Sequence, residues 1–218
     1  MLPPSSSTEL LTRAKHLSGL TLGELAEQYK IAIPQNSLRG KGWGGVLIEK
    51  ILGATAGNKA EPDFQALGIE LKTIPVDETL KPLESTYISL VPLQKIIGQR
   101  WEASEVCKKL SHVLWMPIYV SKGLPLSERR IGQAFLWQPT LAQSAQLQMD
   151  WEELMEDIAL GRLASISSRQ GTYLQIRPKG ANGASRCLGL DAEGKMVAVL
   201  PRGFYLRPSF TKMLLDAS

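Results

Sequence analysis

The chain has 218 residues, enough for one large domain or for two lobes with a shared core. Its 44% hydrophobic and 21% charged content is that of a soluble globular protein and excludes a disordered or fibrous chain. The net charge of +4 hides an asymmetry: residues 162–218 hold nine Lys or Arg against three acids, or +6, which leaves −2 for residues 1–161. A basic last quarter beside a neutral remainder suits a polyanion-binding lobe, although a basic, merely soluble surface would look the same.

Taken in chain order, Ser6-x-x-Glu9 reads as a capping box that opens a helix with Leu10, Leu11, Ala14 and Leu17 on one face. Thr21-x-x-Glu24 repeats the device for a helix carrying Leu22, Leu25, Ala26 and Tyr29. Both read as packing elements without chemistry. The glycine-rich run Arg39–Gly45 then leads into a helix around 44–53; it lacks the spacing of a phosphate-binding P-loop. On that helix Trp43, Val46, Leu47, Ile48, Ile51 and Leu52 share one side, which makes Glu49, opposite them, an ordinary surface glutamate.

The next stretch carries the chemistry. In Gly68–Ile74, Ile69 and Leu71 alternate with Glu70 and Lys72, a period of two that predicts a strand with Glu70 and Lys72 on one face. Asp63 lies seven residues before Glu70, with Leu67-Gly68 as the turn between them. Two carboxylates and an ammonium held together in this way can bind a metal and position a water. The spacing alone is weak, because an Asp-x6-Glu-x-Lys match arises by chance in roughly one chain in twenty-five of this length. A solvated strand face with alternating Glu and Lys is the everyday alternative.

Further on, Ser85–Val91 reads as a strand, Trp101–Leu110 as a helix ending in Lys108-Lys109, and Val113–Val120 as a buried strand. Phe135–Trp137 is a short apolar segment. A long helix from about Leu141 to Gly161 carries Asp150, Glu152, Glu153, Glu156 and Asp157 around most of its circumference, the pattern of a solvated acidic helix. Residues 171–182 read as a strand running into a loop with Arg177, Pro178 and Lys179, and Asp191–Gly194 as a hairpin turn before Met196–Leu200. Gly203–Leu206 follows, and Pro208 opens a last helix. This order fits an α/β (mixed α+β) core sheet with flanking helices.

Residues 41–75, KGWGGVLIEKILGATAGNKAEPDFQALGIELKTIP, resemble the core of the MutH family, the strand-nicking endonucleases of methyl-directed DNA mismatch repair. PLESTYISLVPL at 82–93, DWEELMEDIALGRL at 150–163, YLQIRPKGAN at 173–182 and LPRGFYLRPSF at 200–210 extend the resemblance in the same order. It implies a restriction-endonuclease-like PD-(D/E)xK fold with two lobes forming a DNA-binding cleft, an N-terminal catalytic lobe over about 1–100 and a basic recognition lobe over about 101–218. It also implies Mg²⁺, with Mn²⁺ or Ca²⁺ able to take its place, held by Asp63, Glu70 and Glu49, with Lys72 as the fourth catalytic group. DNA contacts fall to Lys41, Lys109, Arg177, Pro178, Lys179, Tyr205 and Tyr87: Arg177 for guanine, Tyr205 for adenine methylation, Tyr87 at the base stack.

The activity so implied is a nick 5′ to the G of hemimethylated GATC in double-stranded DNA, on the unmethylated strand. The enzyme would be a monomer activated by MutL, with MutS acting indirectly. A type II restriction enzyme cutting both strands at GATC and a DNA-binding module without catalysis are the alternatives. Three departures from the family pattern stand out. Gly40 replaces an expected acid, Ser104-Glu105-Val106 lacks a histidine, and the tail after Phe210 is short, which bears on MutL rather than on cleavage. Cys107, Cys187, His16 and His112 match no usual zinc spacing and point to a reducing cytoplasm. With neither a signal peptide nor an apolar run of about 18 residues, the sequence predicts a cytoplasmic protein without a membrane.

Overall fold

A computed structural model describes residues 1–34, 42–57, 61–94, 96, 98–180 and 184–218. It is a mixed α/β structure with small sheets and, among the described residues, six α-helices: α1 (Ser7–Lys15), α2 (Leu22–Gln28), α3 (Trp43–Leu52), α4 (Glu105–Leu110), α5 (Leu141–Ala159) and α6 (Pro208–Asp216). The strands are β1 (Glu70–Val76), β2 (Thr86–Leu90), β3 (Val113–Tyr119), β4 (Phe135–Trp137), β5 (Leu174–Pro178), β6 (Cys187–Leu190), β7 (Met196–Val199) and β8 (Arg202–Leu206). They form three sheets, ordered β1-β3-β4, β2-β8-β5 and β6-β7.

The chain divides into two compact units, both discontinuous in sequence. The first comprises residues 1–84, 109–138 and 212–218; the second comprises 85–108 and 139–211. Counting from the sequence, the first holds fourteen Lys or Arg against twelve acids and the second eleven against nine, so each nets +2. The basic excess of 162–218 is therefore offset within its own unit by the acids of α5.

In the first unit, β1 runs parallel to β3, pairing Glu70 with Val113 and Lys72 with Trp115, and β4 adds antiparallel to β3. Its core gathers Leu10 and Ala14 of α1, Leu22 and Leu25 of α2, Leu47, Ile48 and Ile51 of α3, and Leu71, Leu114 and Met116 of the sheet. The expected capping box at α2 is complete, Thr21 and Glu24 each bonding the other's backbone. At α1 it is half made. Ser6 accepts from the Glu9 N–H, but the Glu9 carboxylate bonds the N–H and hydroxyl of Ser5 instead of Ser6. Those two bonds and Arg13 hold that exposed carboxyl down at about 2.

In the second unit β8 lies between β2 and β5, antiparallel to both. Leu174, Ile176, Phe204 and Leu206 are buried, and α5 packs against β5. The helix expected over 101–110 is broken: a 3-10 turn over Trp101–Ala103 ends at Ser104, whose extended backbone and side chain restart the helix by accepting from the Cys107 N–H. The acidic helix also departs from expectation, because Asp150 is only 2% exposed. Its carboxylate accepts from three consecutive backbone N–H groups, those of Thr172, Tyr173 and Leu174, and from the Gln146 side chain. From the other side the Arg207 guanidinium donates to the carbonyls of Ser168, Gln170 and Gly171. The approach to β5 is thus held by two polar anchors, the buried Asp150 and the half-buried Arg207. No described helix is long and apolar enough to cross a membrane.

Candidate active site

Asp63 is delivered by a tight reversal. A 3-10 turn over Gln65–Leu67 ends at Gly68, whose φ of +63° suits a residue without a β-carbon, and Phe64 then bridges Ile69. This brings the Asp63 carboxylate to 2.8 Å from the Leu71 N–H, from which it accepts. Glu70 opens β1 and is 1% exposed, so the solvated-face alternative does not hold. Its Oε1 accepts from Lys72 Nζ at 2.6 Å and from Lys109 Nζ at 3.1 Å. Lys109 arrives because β3 begins opposite Glu70, which sets the C-terminal end of α4 beside the start of β1.

Glu49 belongs to this cluster, which corrects the surface position its helical wheel implies. The wheel counted Val46 as a core residue, whereas Val46 is 60% exposed and α3 is turned so that the Gly45–Glu49 side faces β1. A β-carbon on Gly45 would lie 3.6 Å from Thr73 Oγ1 and 4.0 Å from Glu49 Oε1. Burial raises the Glu49 carboxyl above the ordinary range, and the charges of Asp63 and Glu70 add to the effect against Lys72 and Lys109. Burial and Glu70 likewise raise Asp63, against the hydrogen bond from Leu71 and the two lysines.

Two acids whose proton affinity is raised beside a third, buried carboxylate make a site short of positive charge. The second Glu70 oxygen, Oε2, is buried without a hydrogen-bond partner, so the most enclosed carboxylate presents a free lone pair. A divalent cation fits this donor set. Among the described residues no three Asp, Glu, His or Cys side chains close a ready-made cage. The reason is visible at Glu70, whose other oxygen is drawn to two ammonium groups. Mg²⁺ needs no cage, since it keeps several waters and takes one or two carboxylates.

The remaining candidates lie in the second unit. Arg177 and Pro178 end β5 rather than occupying a loop. That position suits proline, because β5 is an edge strand. The exposed Arg177 guanidinium donates to Ser85 Oγ at 3.0 Å, and Gln175 Nε2 donates to the same oxygen at 2.9 Å. Lys179 places its ammonium 3.9 Å from the centre of the Tyr87 ring, a cation–π contact. Tyr87 in turn meets Tyr205 edge to face, with ring centres 5.4 Å apart. Burial, with Tyr205 and Glu105 adding to it, lifts the Tyr87 phenol to about 12. Both tyrosines are half-buried, not core residues. Lys41 and the first part of the glycine-rich run lie outside the described residues.

The sequence reading missed Ser85, Gln175 and Asp150. Only Asp150 left a trace, as an acid at helical spacing among Leu147, Trp151, Leu154 and Ile158, the buried stripe of α5.

Comparison with known proteins agrees with this geometry. A family model described as DNA mismatch repair enzyme MutH matches residues 52–150. The DNA mismatch repair protein MutH of Histophilus somni (strain 2336) is 51% identical over 215 residues, 99% of this chain and 96% of that protein. The chain belongs to the MutH family. Haemophilus influenzae (strain PittGG) MutH is 50% identical over 214 residues, 98% of this chain and 96% of its own. Escherichia coli O6:K15:H31 MutH is 49% identical over 213, 98% and 93% respectively. The match at this identity spans both units, so the MutH likeness takes in the carboxylate–lysine cluster and the Arg177–Tyr205 face together.

Proposed function

We propose that this MutH-family chain, a DNA mismatch repair endonuclease, nicks the unmethylated strand of hemimethylated GATC sites 5′ to the G, by Mg²⁺-dependent hydrolysis. The observation that carries the reading is the convergence of Glu49, Asp63, Glu70, Lys72 and Lys109 in the first unit. Asp63 and Glu70 would hold the cation and Glu49 would complete its surroundings; Mn²⁺ or Ca²⁺ would take the same place. When bound, the cation neutralises charge on the phosphate and lowers the pKa of a water. Lys72 already donates to Glu70, and a donor ammonium serves by orienting the attacking water and countering charge on the phosphorane. Lys109, on the same carboxylate oxygen, would counter negative charge on a bound phosphate.

Recognition falls to the second unit in this proposal, and both units to a restriction-endonuclease-like fold that receives DNA in a cleft. Arg177 is rigidly based on Ser85, the arrangement bidentate reading of guanine needs. Lys179 and Lys41 take phosphates. Tyr205 forms the wall that an N6-methyl on adenine would strike, with Tyr87 packed against it. The enzyme acts as a monomer in the cytoplasm, with MutL as its activator and MutS upstream. Purified chain is tested on unmethylated, hemimethylated and fully methylated GATC duplexes, with and without Mg²⁺ and MutL. Nicking confined to unmethylated strands and dependent on metal is expected. Equal cutting of methylated strands, or cutting in chelator, would overturn the reading.

A further inference from the structure

On one face of the β2-β8-β5 sheet sit Tyr87, Tyr205 and Arg177, and at their centre is a residue with no side chain. Gly203 pairs across the ladder with Arg177 on β5 and with Leu90 on β2. Its φ lies outside the left-handed region, so the backbone conformation is open to any residue. Space is what excludes other residues. A β-carbon at 203 would fall 2.9 Å from the edge of the Tyr87 ring, 3.1 Å from the edge of the Tyr205 ring and 3.3 Å from the Ser89 carbonyl oxygen. Both rings close over this one position, beside a register shift between Tyr87 and Ser89.

We propose that Gly203 is a specificity-determining position, whose missing side chain lets the Tyr87 and Tyr205 rings cross edge to face in the arrangement that reads DNA. The inference rests on the recognition role assigned above to Arg177 and Tyr205. Gly203 is a positioning residue: it touches no base but sets the floor on which the reading side chains lie. A methyl group there must displace the Tyr87 ring edge, the nearest neighbour, and press on the Tyr205 ring, while the Ser89 carbonyl behind them is backbone. Displacing Tyr87 also takes it from under the Lys179 ammonium, so one added carbon disturbs three side chains at once. The carboxylate–lysine cluster lies in the other unit.

The test is Gly203→Ala, alone and in a Tyr87→Ala background. The readout is the ratio of kcat/KM on a GATC duplex to that on a duplex with one base pair of the site changed, with affinity for random duplex measured in parallel. Gly203→Ala alone should lower the ratio on the order of tenfold, the size of one good base contact, and leave random-duplex affinity within about twofold. In the Tyr87→Ala background the same change should cost clearly less, because the nearer of the two rings it strikes is gone. An unchanged ratio for the single variant, or an equal loss in both backgrounds, would overturn the proposal. So would unfolding by Gly203→Ala in both backgrounds, since the rings would then not be what requires glycine. Arg177→Ala separates the two levels. If it keeps its GATC preference, the recognition reading itself has failed; if it loses the preference while Gly203→Ala does not, only the role of Gly203 falls.

Discussion

The carboxylate–lysine cluster of the first unit and the aromatic–cation face of the second hold charge in opposite ways. In the first, Asp63 and Glu49 sit above their ordinary proton affinity and Glu70 is matched to two lysines, with one oxygen left over. That arrangement is under electrostatic tension until a cation joins it. In the second unit the exposed Arg177 guanidinium rests on a serine hydroxyl, a neutral support, and Lys179 lies over the Tyr87 ring. One region is therefore built to recruit positive charge and the other to offer it.

The largest expected effect breaks the first region. Asp63→Ala and Glu70→Ala should each lower Mg²⁺-dependent nicking by on the order of a thousandfold or more, while DNA affinity survives or rises as repulsion of phosphate falls. Nicking assays beside fluorescence-polarisation binding decide it, and retained nicking in either variant would remove that residue from the centre.

Next comes the second region. Arg177→Ala should cost about 1–3 kcal/mol of preference for GATC over altered sites. An equal loss on specific and random duplexes would make Arg177 a phosphate contact. A smaller effect is expected from Ser85→Ala, which leaves the arginine in place and removes the oxygen that steadies it. About 0.5–1.5 kcal/mol of the same preference should go, the net worth of a hydrogen bond, and Ser85→Thr should restore it.

The smallest effect concerns the tension in the first region. Asp63 has a folded-state pKa above its unfolded value, so the native state binds the proton more tightly. Its contribution is harmless below the unfolded pKa, and stability falls as pH rises through the raised folded pKa. Asp63→Asn keeps an acceptor for the Leu71 N–H and removes the charge. In metal-free protein it should stabilise the fold at neutral pH by on the order of 1 kcal/mol, read as a rise in Tm of roughly 2–4 °C for a chain of this size. The gain should vanish in acid. A constant gain across pH would assign it to packing.

How far each region could be read in the sequence follows from how local its determinants are. Asp63, Glu70 and Lys72 lie within ten residues, and a period of two with a Gly68 turn places them together. Lys109 reaches Glu70 only through the parallel pairing of β1 with β3, which no short window contains. The helical wheel alone puts Glu49 on the surface because hydrophobicity is not the same as burial, and Val46 is an exposed valine. Arg177 and Pro178 read as loop because proline breaks strands, but an edge strand tolerates it. The base-facing roles proposed for Tyr87 and Tyr205 have no physical signature along the chain, and family resemblance alone points to them. Asp150 was legible and passed over, an acid on an apolar stripe whose partners wait more than twenty residues downstream.

Both units are assembled from interrupted stretches, and this governs the order in which the chain can fold during synthesis. The ribosome releases residues 1–84 with Asp63, Glu70 and Lys72 already in hand, but Lys109 and strand β3 follow only after a segment that belongs to the other unit. Residues 212–218, which the first unit also claims, come after nearly all of the second. At roughly 5–20 residues per second, the β1 edge waits several seconds for its partner strand. The residues of the carboxylate–lysine cluster and strand β3 are thus all in hand when only residues 85–108 of the second unit have been made, whereas the last piece of the first unit waits for the whole of the second. Neither half can be excised by a single truncation, so a nuclease separated from its reader is not a product this chain readily yields.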